Sequence, residues 1–117
     1  MIKPELAEWD YGAYEGLTTK QILAQRPGWQ MFRDGYPQGE DAAAAGARAD
    51  TVIAAARAVA GNILIFSSAH FLRVLVARWI GLPPEGGAHF VLDTASLSIL
   101  GYEHDLTEPV LRKWNLR

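Results

Sequence analysis

The stretch ILIFSSAHFLRVLVARWIGL, Ile63 to Leu82, changes its periodicity halfway along. Ile63 to Phe66 is a continuous apolar run, preceded by the turn pair Gly61-Asn62. A run this short, bounded by turn signals, reads as a buried, parallel-type strand over Ile63–Ser67. From Phe71 to Ile80 the apolar residues Leu72, Leu75, Val76 and Trp79 recur at helical spacing, and Gly81 supplies the stop. Ser67, Ser68 and His70 fall where the strand hands over to the helix. A strand feeding directly into a helix is the building step of an α/β fold.

The flanking sequence extends that reading. Asp41 followed by an alanine-dominated segment predicts a long helix over 41–60, with Val52, Ile53, Ala56 and Val59 as its apolar stripe. Thr18 and Gln21 are spaced as a capping box, which predicts a short helix ending near Arg26, before Pro27-Gly28. Residues 4–16 and 29–40 read as loops, the second rich in aromatics. After the Pro83–Gly87 turn, Ala95–Tyr102 and Val110–Asn115 alternate enough to be strands, separated by a turn at Glu103–Pro109.

Composition narrows the class. The chain has 117 residues, which suits a single domain spanning 1–117 with a real core. It has no cysteine, so a disulfide framework or a thiolate metal site is excluded. A net charge of −2 with mixed signs provides no basic stripe for nucleic acid. No apolar run is long enough to span a bilayer, and MIKPELAEWD does not resemble a signal peptide. A soluble, cytoplasmic protein is therefore expected, with neither nucleic acid nor membrane as partner.

In open α/β sheets, ligands bind beyond the carboxyl ends of the strands. A helix N-terminus there offers free N–H groups and partial positive charge to an anion. Ser67, Ser68 and His70 crowd that corner, and Arg73 follows His70 one turn on. They form a candidate phosphate-binding corner, against the plainer alternative that Ser68 is only an N-cap and His70 only a first-turn residue. Glu8 and Glu15 are candidate general acids in a loop, and spacing does not choose between them. Glu40 and Asp41 fit the start of the long helix. His89 and His104 have no partners at metal-ligand spacing, so no metal site is expected.

Taken in order, LAEWDYGAYEGLT (6–18), PQGED (37–41), ILIFSSAHFLRVLVARWIGL (63–82), LSILGYEH (97–104) and the closing WN (114–115) resemble the histidine phosphatase superfamily, with its phosphoglycerate mutase-like fold. The resemblance implies a three-layer α/β/α sandwich and phosphomonoester hydrolysis through a phosphohistidine, with a small phosphorylated molecule as substrate and no metal or organic cofactor. It puts Glu8 on the general-acid position, above Glu15. In many members a Ser-His-Gly-His-Phe-Leu-Arg sequence supplies the second phosphate-holding histidine. Aligned without gaps, that histidine falls on Ser68 and the other one on His70. Catalytic Glu8 and His70, with phosphate-binding Ser68, His70 and Arg73, are therefore the expected site.

The family's nucleophilic Arg-His-Gly motif occurs nowhere in the sequence. The resemblance is to the C-terminal part of small bacterial members. An incomplete sandwich lacking the first strand and early helix is expected, with turnover by the chain alone impaired. The alternative is an inactive truncated homologue that binds a phospho-ligand or pairs with another chain. The family's first strand lies beside the one expected at Ile63–Ser67, so an open apolar edge is expected there, covered by self-association or by a complementing chain.

Overall fold

The computed structural model describes residues 3–117. Four α-helices, several 3₁₀ turns and one β-hairpin make up a mixed helix-and-strand fold: α1 Thr19–Gln25, α2 Met31–Asp34, α3 Ala42–Arg57, α4 Ala69–Trp79, β1 Leu97–Tyr102 and β2 Pro109–Leu116.

Local chemistry sets most of the boundaries. The capping box closes both ways on α1: Gln21 N–H donates to Thr18 Oγ1 at 3.1 Å, and Thr18 N–H donates to Gln21 Oε1 at 2.8 Å. Asp41 caps α3 by accepting the Ala44 N–H at 2.9 Å. The helix ends at Arg57, three residues before the predicted end at 60. The aromatic loop at 29–40 contains the single turn of α2. Gln30 N–H donates to Asp34 Oδ2 at 2.8 Å, and Phe32 is buried beneath that turn. So short a helix leaves no periodic signal in the sequence.

The core is built on α4. Phe71, Val74, Leu75, Val76 and Ala77 are all buried, so this helix is covered on most of its circumference. Against it pack Trp9, Phe32 and the face of α3 formed by Ala42, Ala45 and Ala49. These small residues let the two helices approach closely. Gly46 lies on the same face, where a Cβ would run into the ring of Pro84. That packing offsets the roughly 1 kcal/mol that a mid-helix glycine costs relative to alanine. The predicted α3 stripe continues this face along the helix: Val52 and Ile53 are half-buried and pack against the core, Ala56 is half-buried and Val59 is exposed.

The hairpin pairs Tyr102 with Pro109 and Leu97 with Leu116, with irregularities on either side of Ile99. It is antiparallel and two-stranded. Trp79 secures it to α4, with its indole N–H shared between the carbonyls of Gly101 at 3.1 Å and Val110 at 3.2 Å.

The strand predicted at Ile63–Ser67 does not form. The segment has no regular secondary structure, and no described residue pairs with its backbone. Leu64 is 71% exposed and Phe66 81% exposed. A strand is defined by its partner, and the hairpin pairs only with itself. The side of the segment away from the core opens on a groove of about 1300 Å³, between α3, α4 and the hairpin. Among the described residues, no helix is long and apolar enough to cross a membrane.

Candidate active site

Glu8 enters the site through the main chain. Its carboxylate accepts three backbone N–H groups: its neighbour Trp9 at 2.8 Å, Phe71 at 2.9 Å and His70 at 3.2 Å. The last two are first-turn donors of α4, which are orphans in any helix. Ser68 has the extended backbone of an N-cap, but its side chain makes no capping bond. Glu8 therefore caps α4 from a distant loop, adding negative charge where the helix dipole favours it. Among the described residues the Ser68 hydroxyl has no hydrogen-bond partner. The Ser67 hydroxyl has one, donating to the Leu6 carbonyl at 2.6 Å.

The loop that carries Glu8 is held from behind by Arg48 on α3. The guanidinium grips both oxygens of Glu40 at 2.8 Å and donates to the carbonyls of Glu5 and Ala7 at 2.8 and 2.9 Å. It also lies 4.5 Å from the centre of the Phe71 ring. Glu40 in turn accepts the Asp10 N–H at 2.9 Å, and its carbonyl accepts the Trp9 indole N–H at the same distance. Gly39 permits this crossing, because a Cβ there would collide with the Asp10 carbonyl and with Gly12. The PQGED stretch thus acts as a clamp on the LAEWDYG stretch.

His70 stands beside Glu8. Its Nδ1 is 2.7 Å from the Tyr11 hydroxyl and 3.9 Å from Glu8 Oε2. Burial raises the Tyr11 phenol far above its ordinary value, and the Glu8 charge adds to the effect. The phenol therefore keeps its proton, and the direction of its bond to Nδ1 follows the tautomer of the ring. Burial lowers the His70 pKa, and the Arg73 charge acts in the same direction against the opposing pull of Glu8. Neutral imidazole is the resting form near pH 7.

Arg73, the fourth expected site residue, is directed elsewhere. Its Nε donates to the Gly87 carbonyl at 3.0 Å and its Nη2 to the Ala88 carbonyl at 3.2 Å, and its guanidinium stacks 4.8 Å over Phe32. The structure thus brings Glu8, Ser68 and His70 to one corner, with Arg73 beside it on a cleft of about 480 Å³ lined also by His70 and His89. His104 is remote, pairing with Glu108 at 2.7 Å in the hairpin turn. The sequence reading missed Arg48, Glu40 and Tyr11. Apart from the Arg48–Glu40 pair, their contacts span some thirty to sixty residues, and no spacing rule exposes them. Among the described residues, no group of three or more His, Cys, Asp or Glu gathers as a metal site.

The sequence profile of the histidine phosphatase superfamily (branch 1) matches residues 1–117. The chain belongs to this superfamily. An acid phosphatase of Mycobacterium tuberculosis is 43% identical over 105 residues, covering 88% of this chain and 52% of its own length. A sedoheptulose 1,7-bisphosphatase of Saccharomyces cerevisiae is 32% identical over 100 residues, covering 70% of this chain and 36% of its own. The chain thus spans about half or less of the curated relatives it matches. Among solved structures, an open reading frame of M. tuberculosis superposes with a TM-score of 0.92 at 40% identity, over 97% of this chain and 59% of that one. The α-ribazole phosphatase of Shigella flexneri superposes at 0.76 with 29% identity, over the same two shares. This histidine phosphatase fold accounts for the α/β character read from the sequence.

Proposed function

We propose that the corner at the start of α4 binds the phosphoryl group of a phosphomonoester, and that this chain contributes the acid side of a phosphatase site. The observation that carries the reading is the placement of Glu8 on the first turn of α4, beside the Ser68 hydroxyl. The amides of Ser68 and Ala69 have no acceptor among the described residues. Together with the hydroxyl they offer donors to phosphoryl oxygens. His70 adds an imidazole beside them. Glu8 is the carboxyl group nearest to a phosphoryl oxygen held there. Protonated Glu8 is the form that delivers a proton to the leaving alkoxide.

The attacking group is not assigned to this corner. No Arg-His-Gly occurs in the sequence. The unpaired backbone of Ile63–Ser67 and the groove beside it favour a second role alongside the first: the chain pairs there with a polypeptide segment that contributes an extended strand. The solved relatives have chain beyond the 59% matched here, which is the kind of segment the groove would accept. The nucleophile would come with that segment.

The test is hydrolysis of a chromogenic phosphomonoester by the chain, alone and mixed with a peptide spanning the unmatched part of the M. tuberculosis relative. Turnover that appears on mixing and is lost in Glu8→Ala supports both parts. Failure of the mixture to turn over, together with no saturable binding of orthophosphate to the chain, sinks the reading.

A further inference from the structure

The cleft beside His70 has walls of a distinct chemistry. Trp29, Met31, Phe32 and Tyr36 line it together with Thr19, Gln30, Ala88 and His89. The aromatic wall is rigid. The Trp29 and Tyr36 rings meet at 5.3 Å, and the Trp29 indole N–H is fixed on the Gly35 carbonyl at 2.8 Å. Burial pushes the Tyr36 phenol up to about 12, so it stays neutral.

The cleft is poor in charge. No carboxylate or lysine lines it, and its one permanently charged side chain, Arg73, is already bonded to two carbonyls and stacked on Phe32. A second phosphate group would find no uncommitted lysine or arginine there, the other polar side chains on its lining being Thr19, Gln30, Tyr36, His70 and His89. A flat apolar ring would find aromatic surface, which favours offset or edge contacts. A volume of about 480 Å³ is ample for a ring and its substituents.

His70 stands between the cleft and the phosphoryl corner, whose Glu8, Ser68 and Ala69 line the neighbouring groove. It lines the cleft, and its Nδ1 is 3.9 Å from Glu8 Oε2. We infer that the cleft is the leaving-group subsite and that it selects aromatic phosphomonoesters over sugar bisphosphates. The inference deepens the phosphatase reading and rests on it for the position of the phosphoryl end.

Calorimetric titration of the full chain with four probes tests it: orthophosphate, methylphosphonate, phenylphosphonate and fructose 1,6-bisphosphate. Orthophosphate reports the corner alone. Phenylphosphonate is expected to bind at least about tenfold more tightly than methylphosphonate and than the bisphosphate. Ala88→Trp, which fills the cleft from an exposed position on its rim, is expected to bring the phenyl-to-methyl ratio close to one. Equal affinity for the two phosphonates, a preference for the bisphosphate, or a phenyl preference that survives Ala88→Trp overturns the inference while leaving the phosphoryl corner intact. If orthophosphate fails to bind, phenol becomes the probe, with quenching at Trp29 as the signal. Phenol binding that Ala88→Trp abolishes keeps the cleft and discards the corner, whereas no phenol binding discards both.

Discussion

The Glu8 carboxylate accepts the main-chain N–H of Phe71 at 2.9 Å, and so ends the run of free donors at the first turn of α4. One loop residue thereby does what sequence rules assign to Ser68. The arrangement makes a direct energetic claim. Glu8→Ala is expected to lower the unfolding free energy by about 1–2 kcal/mol, the usual range for a lost cap. Ser68→Ala alone should stay within about 0.5 kcal/mol of the parent. In the Glu8→Ala background Ser68 can take over the donors, so there its removal should cost more, giving a coupling measurable by a double-mutant cycle in urea.

The Tyr11–His70 contact predicts a pH dependence. Burial holds the His70 pKa below the ordinary imidazole value of about 6.5. The unfolded chain then binds a proton there more readily than the folded one. Stability from this group is full above about pH 6.5 and falls as the pH drops toward the folded-state value. Urea midpoints measured between pH 8 and 5 should decline over that window, and His70→Asn should flatten the decline. A midpoint that rises on acidification would contradict the assignment.

Arg48 should be among the costliest polar side chains to remove. It is about three-quarters buried and satisfies two carbonyls and the Glu40 carboxylate at once. Arg48→Ala strands all of these and is expected to cost about 2–4 kcal/mol. Arg48→Lys should recover little, because a single ammonium cannot reproduce the fork on Glu40. Thermal melts of the two variants, with Glu40→Gln alongside, give the comparison.

Leu64 and Phe66 predict the behaviour of the open groove. Exposed apolar side chains on an unpaired segment favour association. The parent chain should bind a hydrophobic dye and elute at a concentration-dependent volume. Phe66→Lys should reduce both effects while shifting the unfolding free energy by no more than about 0.5 kcal/mol, because that side chain is 81% exposed.

These same residues show what the sequence could and could not reveal. The cap of α1, the start of α3, the span of α4 and the hairpin follow from local rules: Thr18 with Gln21, Asp41, Gly81, and the alternation after Ala95. Ile63–Ser67 was legible as an apolar run, but whether it becomes a strand depends on a neighbour that its own residues do not specify. The α3 stripe was legible in part. Val52 and Ile53 pack against the core on the face that Ala42, Ala45 and Ala49 open through their small size, and with Ala56 they also reach the groove, whereas Val59 lies beyond the end of the helix and is exposed. Of the site, Ser68 and His70 are marked by the strand-to-helix junction and Glu8 is chosen over Glu15 by motif resemblance, and the three lie together in the structure. Arg73 was placed correctly on the helix, yet its head group turns to the Gly87 and Ala88 carbonyls, a contact set by the fold of the following turn.

The most direct test of the phosphoryl corner is an orthophosphate titration followed by amide NMR. Saturable shifts concentrated at Ser68, Ala69 and the Glu8 loop, weakened in Ser68→Ala, are the predicted result. Shifts that do not saturate, or that spread over surface arginines and lysines while the first turn of α4 stays still, would contradict it.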